Sequence, residues 1–135
     1  PMNSSAASDV YKRQLLMDDN LTYKLLEDCV AINSAVTELI KKDHPKLANE
    51  FYDSANYLYP FGILTLKQIK GLSKKDAEKE FYIRVVGRTS DYIEFMKKNG
   101  KKNKSYFKGT FLGTDLNYCN EIRAAIKISV SELSN

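Results

Sequence analysis

Between Leu25 and Ile40 the apolar residues Leu25, Leu26, Cys29, Val30, Ile32, Val36, Leu39 and Ile40 recur at steps of three and four. Side chains at that spacing share one face of an α-helix. Such a face has to be covered, so the chain is expected to pack helix on helix. The spacing returns three times. A second segment places Leu47, Phe51, Ala55, Leu58 and Tyr59 together; a third places Ala77, Phe81 and Val85, with Tyr82 and Val86 beside them. The last carries Leu116, Cys119, Ile122, Ala125, Ile126, Val130 and Leu133.

Punctuation between these segments sets the expected boundaries. Asn20 or Thr22 supplies an N-cap for the first helix, and Pro45 limits its end because the residue before a proline is pushed out of the α region. Pro45 suits the first turn of the next helix, with Asp43 or His44 as cap. Pro60 and Gly62 are expected to interrupt or kink that helix before Ile63, Leu64, Leu66 and Ile69 resume the pattern, and Gly71 to stop it. Ser73 with Asp76 has the form of a capped start. Gly87 and the cluster Thr89, Ser90, Asp91 suggest a break and a new cap inside the third helix, and Thr114 caps the last. The β-branched run Tyr82 to Val86 is read as helical because no second strand lies at hairpin spacing. The expected helices are 22–43, 45–70, 73–98 and 114–133. Residues 97–110 hold six lysines, no acidic residue and the breakers Gly100 and Gly109, and are expected as a loop. The fold class is mainly α: four to five amphipathic helices in a small bundle.

Composition agrees with one packed domain. The 135 residues are 43% hydrophobic and 28% charged, too apolar for intrinsic disorder, and the net charge is +4. No apolar run reaches the roughly 18 residues of a membrane span, and the start lacks the basic-then-apolar order of a secretory signal. Cys29 and Cys119 form no C-x-x-C pair, and His44 is the only histidine. Zinc sites, a disulfide scaffold and a Cys/His or Ser/His catalytic pair are therefore not expected; the cysteines read as free, buried, small hydrophobes. There is no phosphate loop or dinucleotide fingerprint, and no repeat of solenoid length.

Few side chains remain for a site. Asp18 and Asp19 could bind a divalent metal or act as acid and base, but acidic residues beside a helix start are favoured by the dipole alone, and the capping reading is preferred. Nine tyrosines and six phenylalanines could stack on bases or sugars, and Phe51, Tyr52, Tyr57, Tyr59 and Phe61 crowd one helix. Core and rim packing explains most of them, the remainder offering a surface to a partner domain. The candidate contact residues are Lys97, Lys98, Lys101, Lys102, Lys104 and Lys108. Against an anionic bilayer each lysine contributes about 1 kcal/mol near the surface, enough for peripheral contact and not for anchoring. Tyr106 and Phe107 could insert at a membrane interface or stack on a base.

Two resemblances extend this reading. Ser5 to Gln14, SAASDVYKRQ, resembles a peptide translated from sequencing-adapter DNA, so residues 1–14 are expected to be a non-native or disordered tail and 15–135 the helical domain, cut from a longer protein. The stretches LLMDDNLTYKLLEDCV, IKKDHPKLANEFYD and LSKKDAEKEF, with the lysine-rich loop and final helix, resemble the region after the catalytic domain of bacterial family 2 glycosyltransferases of capsule and exopolysaccharide synthesis. That resemblance implies a parent α/β enzyme of GT-A fold that moves a sugar from a nucleotide-sugar to a cell-surface polysaccharide or lipid-linked acceptor. It implies a divalent metal and nucleotide-sugar in the parent's upstream domain and no cofactor, metal ligand or catalytic residue here. The segment's implied role is accessory: packed on the upstream domain, cytoplasmic, peripheral at the inner membrane face. The alternative is a free-standing helical interaction module that binds nucleic acid or a protein partner through the lysine-rich loop.

Overall fold

A computed structural model describes residues 18–134. The expected tail 1–14 lies outside the described residues. Four helices follow one another: α1 (Asp19–Ile40), α2 (Pro45–Lys70), α3 (Lys74–Asn103) and α4 (Leu112–Ser134). The chain is thus mainly α, a small bundle of four helices, with no strand among the described residues. None of these helices is long and apolar enough to cross a membrane.

α1 is the central element and packs against α2, α3 and α4. Its sequence explains why: Leu26, Cys29, Val30, Ala31, Ile32, Ala35 and Val36 are all buried, and they surround more than half of the helix. A helix apolar on several sides has to sit inside the others. Asn33 is buried among them, and its side-chain amide donates to the Cys29 carbonyl at 2.8 Å, which satisfies it within the helix. The cap is one turn earlier than expected. Asp18 Oδ1, not Asn20 or Thr22, accepts from the Asn20 and Leu21 backbone N–H groups, both at 3.1 Å. The paired carboxylates thus serve the helix start, with Asp19 in the first turn.

The connection 41–44 is short, so α1 and α2 form an antiparallel pair. His44 takes the N-cap position of α2 but its side chain makes no cap bond; Pro45 is the first helical residue, where a missing N–H is no loss. Pro60 and Gly62, expected to interrupt or kink this helix, lie inside it, and α2 runs over the expected 45–70. Pro60 is exposed and forfeits only the bond to the residue a turn before it, while Gly62 is buried and lets α3 approach. Gly71, at φ 63°, closes α2 in the left-handed conformation, and the Leu72 N–H reaches back to the Lys67 carbonyl at 3.2 Å.

α3 starts as expected, with Ser73 Oγ accepting from the Asp76 N–H at 3.1 Å. It then runs unbroken through Gly87 and Thr89–Ser90–Asp91. A helical glycine costs about 1 kcal/mol, less than is gained by burying Phe81, Val85 and Met96 along one face. The helix also extends past the expected end at 98 to Asn103, so residues 97–103 are helical and the loop proper is 104–111. α4 begins at Leu112, with the Thr110 hydroxyl, not Thr114, accepting from the Leu112 N–H. Its buried face comprises Leu112, Leu116, Cys119, Ile122 and Ile126 and ends there: Val130 and Leu133, expected on that face, are 40% and 88% exposed.

The core is centred on Phe81, fully buried between Tyr23 on α1 and Tyr59 on α2, with ring centroids 6.1 and 4.9 Å away in edge-on arrangements. Polar bridges run over it. Arg88 Nε donates to Asp28 at 3.0 Å, its guanidinium 4.5 Å from the Tyr92 ring, and Lys70 pairs with Glu80 at 2.9 Å. The main correction concerns the cysteines. Both occupy apolar faces, but they are not free: Cys29 and Cys119 form a disulfide between α1 and α4 across a sequence separation of 90. Spacing along the chain carries no trace of such a pairing, which depends on how α4 docks.

Candidate partner-binding face on α3

From Tyr82 to Gly100 one shoulder of α3 carries Tyr82, Val86, Thr89, Ile93, Lys97 and Gly100, spaced by threes and fours, so they line up along the helix, and Lys104 follows just past its end. Two concavities open along this shoulder. The first is a groove of about 370 Å³ where α1, α2 and α3 meet. Val30, Ala55 and Val85 form its floor and Tyr52, Tyr59 and Tyr82 its walls. Tyr52 and Tyr82 are 53% and 61% exposed, so their rings stand in solvent; sequence spacing had assigned Tyr82 and Val86 to the apolar side. Burial, followed by nearby Tyr82 and Glu78, raises the Tyr59 hydroxyl above its usual range, which keeps it protonated as a donor.

Hydroxyls of α1 and α3 complete the groove. Ser34 Oγ donates to the Val30 carbonyl at 2.7 Å and Thr37 Oγ1 to that of Asn33 at 2.8 Å, leaving their lone pairs to accept. Thr89 Oγ1 is buried in the groove wall with no hydrogen-bond partner among the described residues. Glu38 at the rim is engaged by Lys41 at 2.8 Å. Tyrosine, serine, threonine and asparagine around an apolar floor are the chemistry of protein recognition surfaces, where rings give area at small entropy cost and hydroxyls adapt.

The second concavity is a hollow of about 560 Å³ lined by Lys97, Gly100, Lys101, Lys104, Ser105 and Tyr106. Its shape rests on asparagines that sequence reading passed over. Asn99 Nδ2 donates to the carbonyls of Ser105 at 2.7 Å and Lys108 at 2.9 Å, and Asn103 Nδ2 to Asn99 Oδ1 at 2.7 Å. The clasp folds the loop back on α3. Ser105 Oγ tightens the turn by accepting from the Phe107 and Lys108 N–H groups, and the Tyr106 ring packs on Gly100, where a Cβ would come within 3.2 Å of it. Tyr106 and Phe107 are consequently half-buried and packed against the core, with Tyr106 also lining the hollow.

The six sequence-predicted lysines are only partly brought together. Lys97, Lys101 and Lys104 share the hollow, while Lys98 pairs with Glu94 at 3.1 Å, and Lys102 and Lys108 lie outside it. No carboxylate of the described residues lies within 4 Å of Lys97, Lys101, Lys102, Lys104 or Lys108. They are held near the C-terminal end of a helix dipole, which favours cations there. Among the described residues no three His, Cys, Asp or Glu side chains are grouped so as to hold a metal ion. The chain has no match among protein-family models, curated proteins or solved structures.

Proposed function

We propose that this helical bundle is an interaction module that seats an acidic protein surface along the shoulder of α3. The observation that carries the reading is the hollow at the end of α3, where Lys97, Lys101 and Lys104 converge with no carboxylate of the described residues in ion-pair reach, in line with the tyrosine-walled groove. Uncompensated like charges raise the free energy of the isolated chain and are relieved by a partner of opposite sign, which also speeds encounter. The groove beside them supplies apolar area and hydroxyls to the same partner.

Two other anionic partners fit less well. Single-stranded nucleic acid needs rings to stack bases and a track of cations, whereas Phe107 is half-buried against the core and the basic stretch carries no arginine. The accessory role implied by the glycosyltransferase resemblance uses the same lysines against an anionic membrane in the cytoplasm. The Cys29–Cys119 bond weighs against that setting, because structural disulfides are rare where thiols are kept reduced.

Titrating the full chain with polyglutamate, a single-stranded oligonucleotide and vesicles containing an anionic phospholipid, each at stepped salt, tests the proposal. The expected result is salt-sensitive binding of polyglutamate, weakened at least about tenfold by Lys97→Gln, Lys101→Gln and Lys104→Gln together, a loss of about 1.4 kcal/mol or more. Vesicle binding without polyglutamate binding would return the membrane-accessory reading, and oligonucleotide binding alone the nucleic-acid one.

A further inference from the structure

We propose that the Cys29–Cys119 bond is a redox latch that holds α4 on the bundle, and that a dithiol reductant opens it. This proposal is independent of the partner face on α3. α4 rests on α1 and α2; its fully buried side chains are Leu112, Leu116, Cys119, Ile122 and Ile126, with Tyr118 half-buried against the core beside them, and 127–134 are exposed. The principal polar tie to α2 comes from Arg123, whose Nη1 donates to Ser54 Oγ at 2.7 Å with its guanidinium 5.2 Å from the Tyr57 ring. That tie is flawed: Arg123 Nε is buried with no hydrogen-bond partner among the described residues, a desolvation cost that docking has to carry. A covalent link closing a 90-residue separation offsets such a cost by removing the freedom of the detached state.

The joint for release is also present. The Asn99 clasp binds the loop to α3 through the Ser105 and Lys108 carbonyls, so it survives departure of α4. Beyond it come Gly109, at φ 77°, and Gly113, whose missing side chain meets nothing nearby. These two positions can absorb a reorientation of α4 while α1, α2 and α3 keep the Phe81-centred core. Both cysteines are at most 5% exposed, so a reductant reaches the bond only through a transient local opening around it, before α4 is released.

The Cys29 Sγ–Cys119 Sγ bond breaks and two thiols form, taking two electrons and two protons from a dithiol, which becomes a disulfide. Oxidised, the chain holds α4; reduced, it sheds α4 and bares the α1 side around Cys29 and Ile32, which is now buried.

Hydrogen–deuterium exchange on the full chain, oxidised and after treatment with dithiothreitol, decides the matter. The expected outcome is at least tenfold faster exchange across 112–134 in the reduced chain, with 19–103 unchanged. Equal protection in both states would overturn the proposal, and so would loss of protection in all four helices, or two free thiols in the chain isolated under air. The double variant Cys29→Ala, Cys119→Ala should match the reduced chain in oxidant and reductant alike; if its α4 stays as protected as in the oxidised chain, the latch is refuted.

Discussion

Gly62 on α2 lies directly against the ring of Phe81 on α3, so closely that a Cβ at position 62 would overlap three of the ring atoms. Helix propensity alone favours Gly62→Ala by about 1 kcal/mol. Overpacking of a filled core costs about 1–3 kcal/mol or more, and Phe81 is fully buried with no room to retreat. The expected net result is a loss of about 2 kcal/mol or more in urea unfolding. Phe81→Leu in the same chain should recover part of it, so the double variant loses less than the two single losses added together.

Lys104 is the one non-glycine residue at positive φ among those described, at 56°, and it closes α3 with its N–H on the Gly100 carbonyl at 2.9 Å. A left-handed conformation costs a side-chain-bearing residue about 1–2 kcal/mol, and glycine is free of that cost. Lys104→Gly is therefore expected to raise stability by about 1 kcal/mol while weakening polyglutamate binding. A stabilised variant that binds as tightly as the parent would remove Lys104 from the proposed site.

Tyr23 is 7% exposed and donates to Glu27 Oε1 at 2.7 Å. Burial first, then that hydrogen bond and the Glu27 charge, lift its hydroxyl far above the usual tyrosine value of 10.0. Below pH 10 both folded and unfolded chains hold the proton and the contribution to stability is complete. Above it the unfolded chain releases the proton first, so stability falls as pH rises toward the folded value. Tyr23→Phe should lower stability near neutrality by about 1 kcal/mol and flatten the alkaline decline, followed by urea midpoints between pH 8 and 11. An unchanged alkaline slope would show that Tyr23 is not the titrating group.

Asn99 donates two hydrogen bonds to loop carbonyls and accepts one from Asn103. Asn99→Ala strips the Ser105 carbonyl of its partner and leaves that of Lys108 only the longer bond from Asn103 Nδ2 at 3.4 Å, at a cost of about 1 kcal/mol. Exchange should quicken first in 104–111, and the hollow should lose affinity for polyglutamate even though every lysine is retained. Asn99→Asp keeps the shape but not the donor, and should fail in the same way.

What the sequence by itself determined was local. Steps of three and four placed all four helices, because burial of one side of a helix has to be written at 3.6 residues per turn. Ser73, Pro45 and Gly71 act at the chain positions expected of them, since caps and stops depend on neighbours within a turn. The lysines were equally visible. Tertiary structure decided the rest. It carried α3 through Gly87 to Asn103 because long-range burial of Phe81, Val85 and Met96 outweighs a local preference to break, and it left Pro60 and Gly62 inside one helix for the same reason. It turned Tyr52 and Tyr82 outward as walls of a groove, a choice that periodicity cannot make for residues at the edge of an apolar face. It joined Cys29 to Cys119, two residues that any spacing rule treats as strangers, because only the docking of α4 on α1 brings their Cα atoms to 5.5 Å. A helix is fixed by contacts a few residues long, whereas a groove, a clasp or a disulfide depends on where separate helices cross.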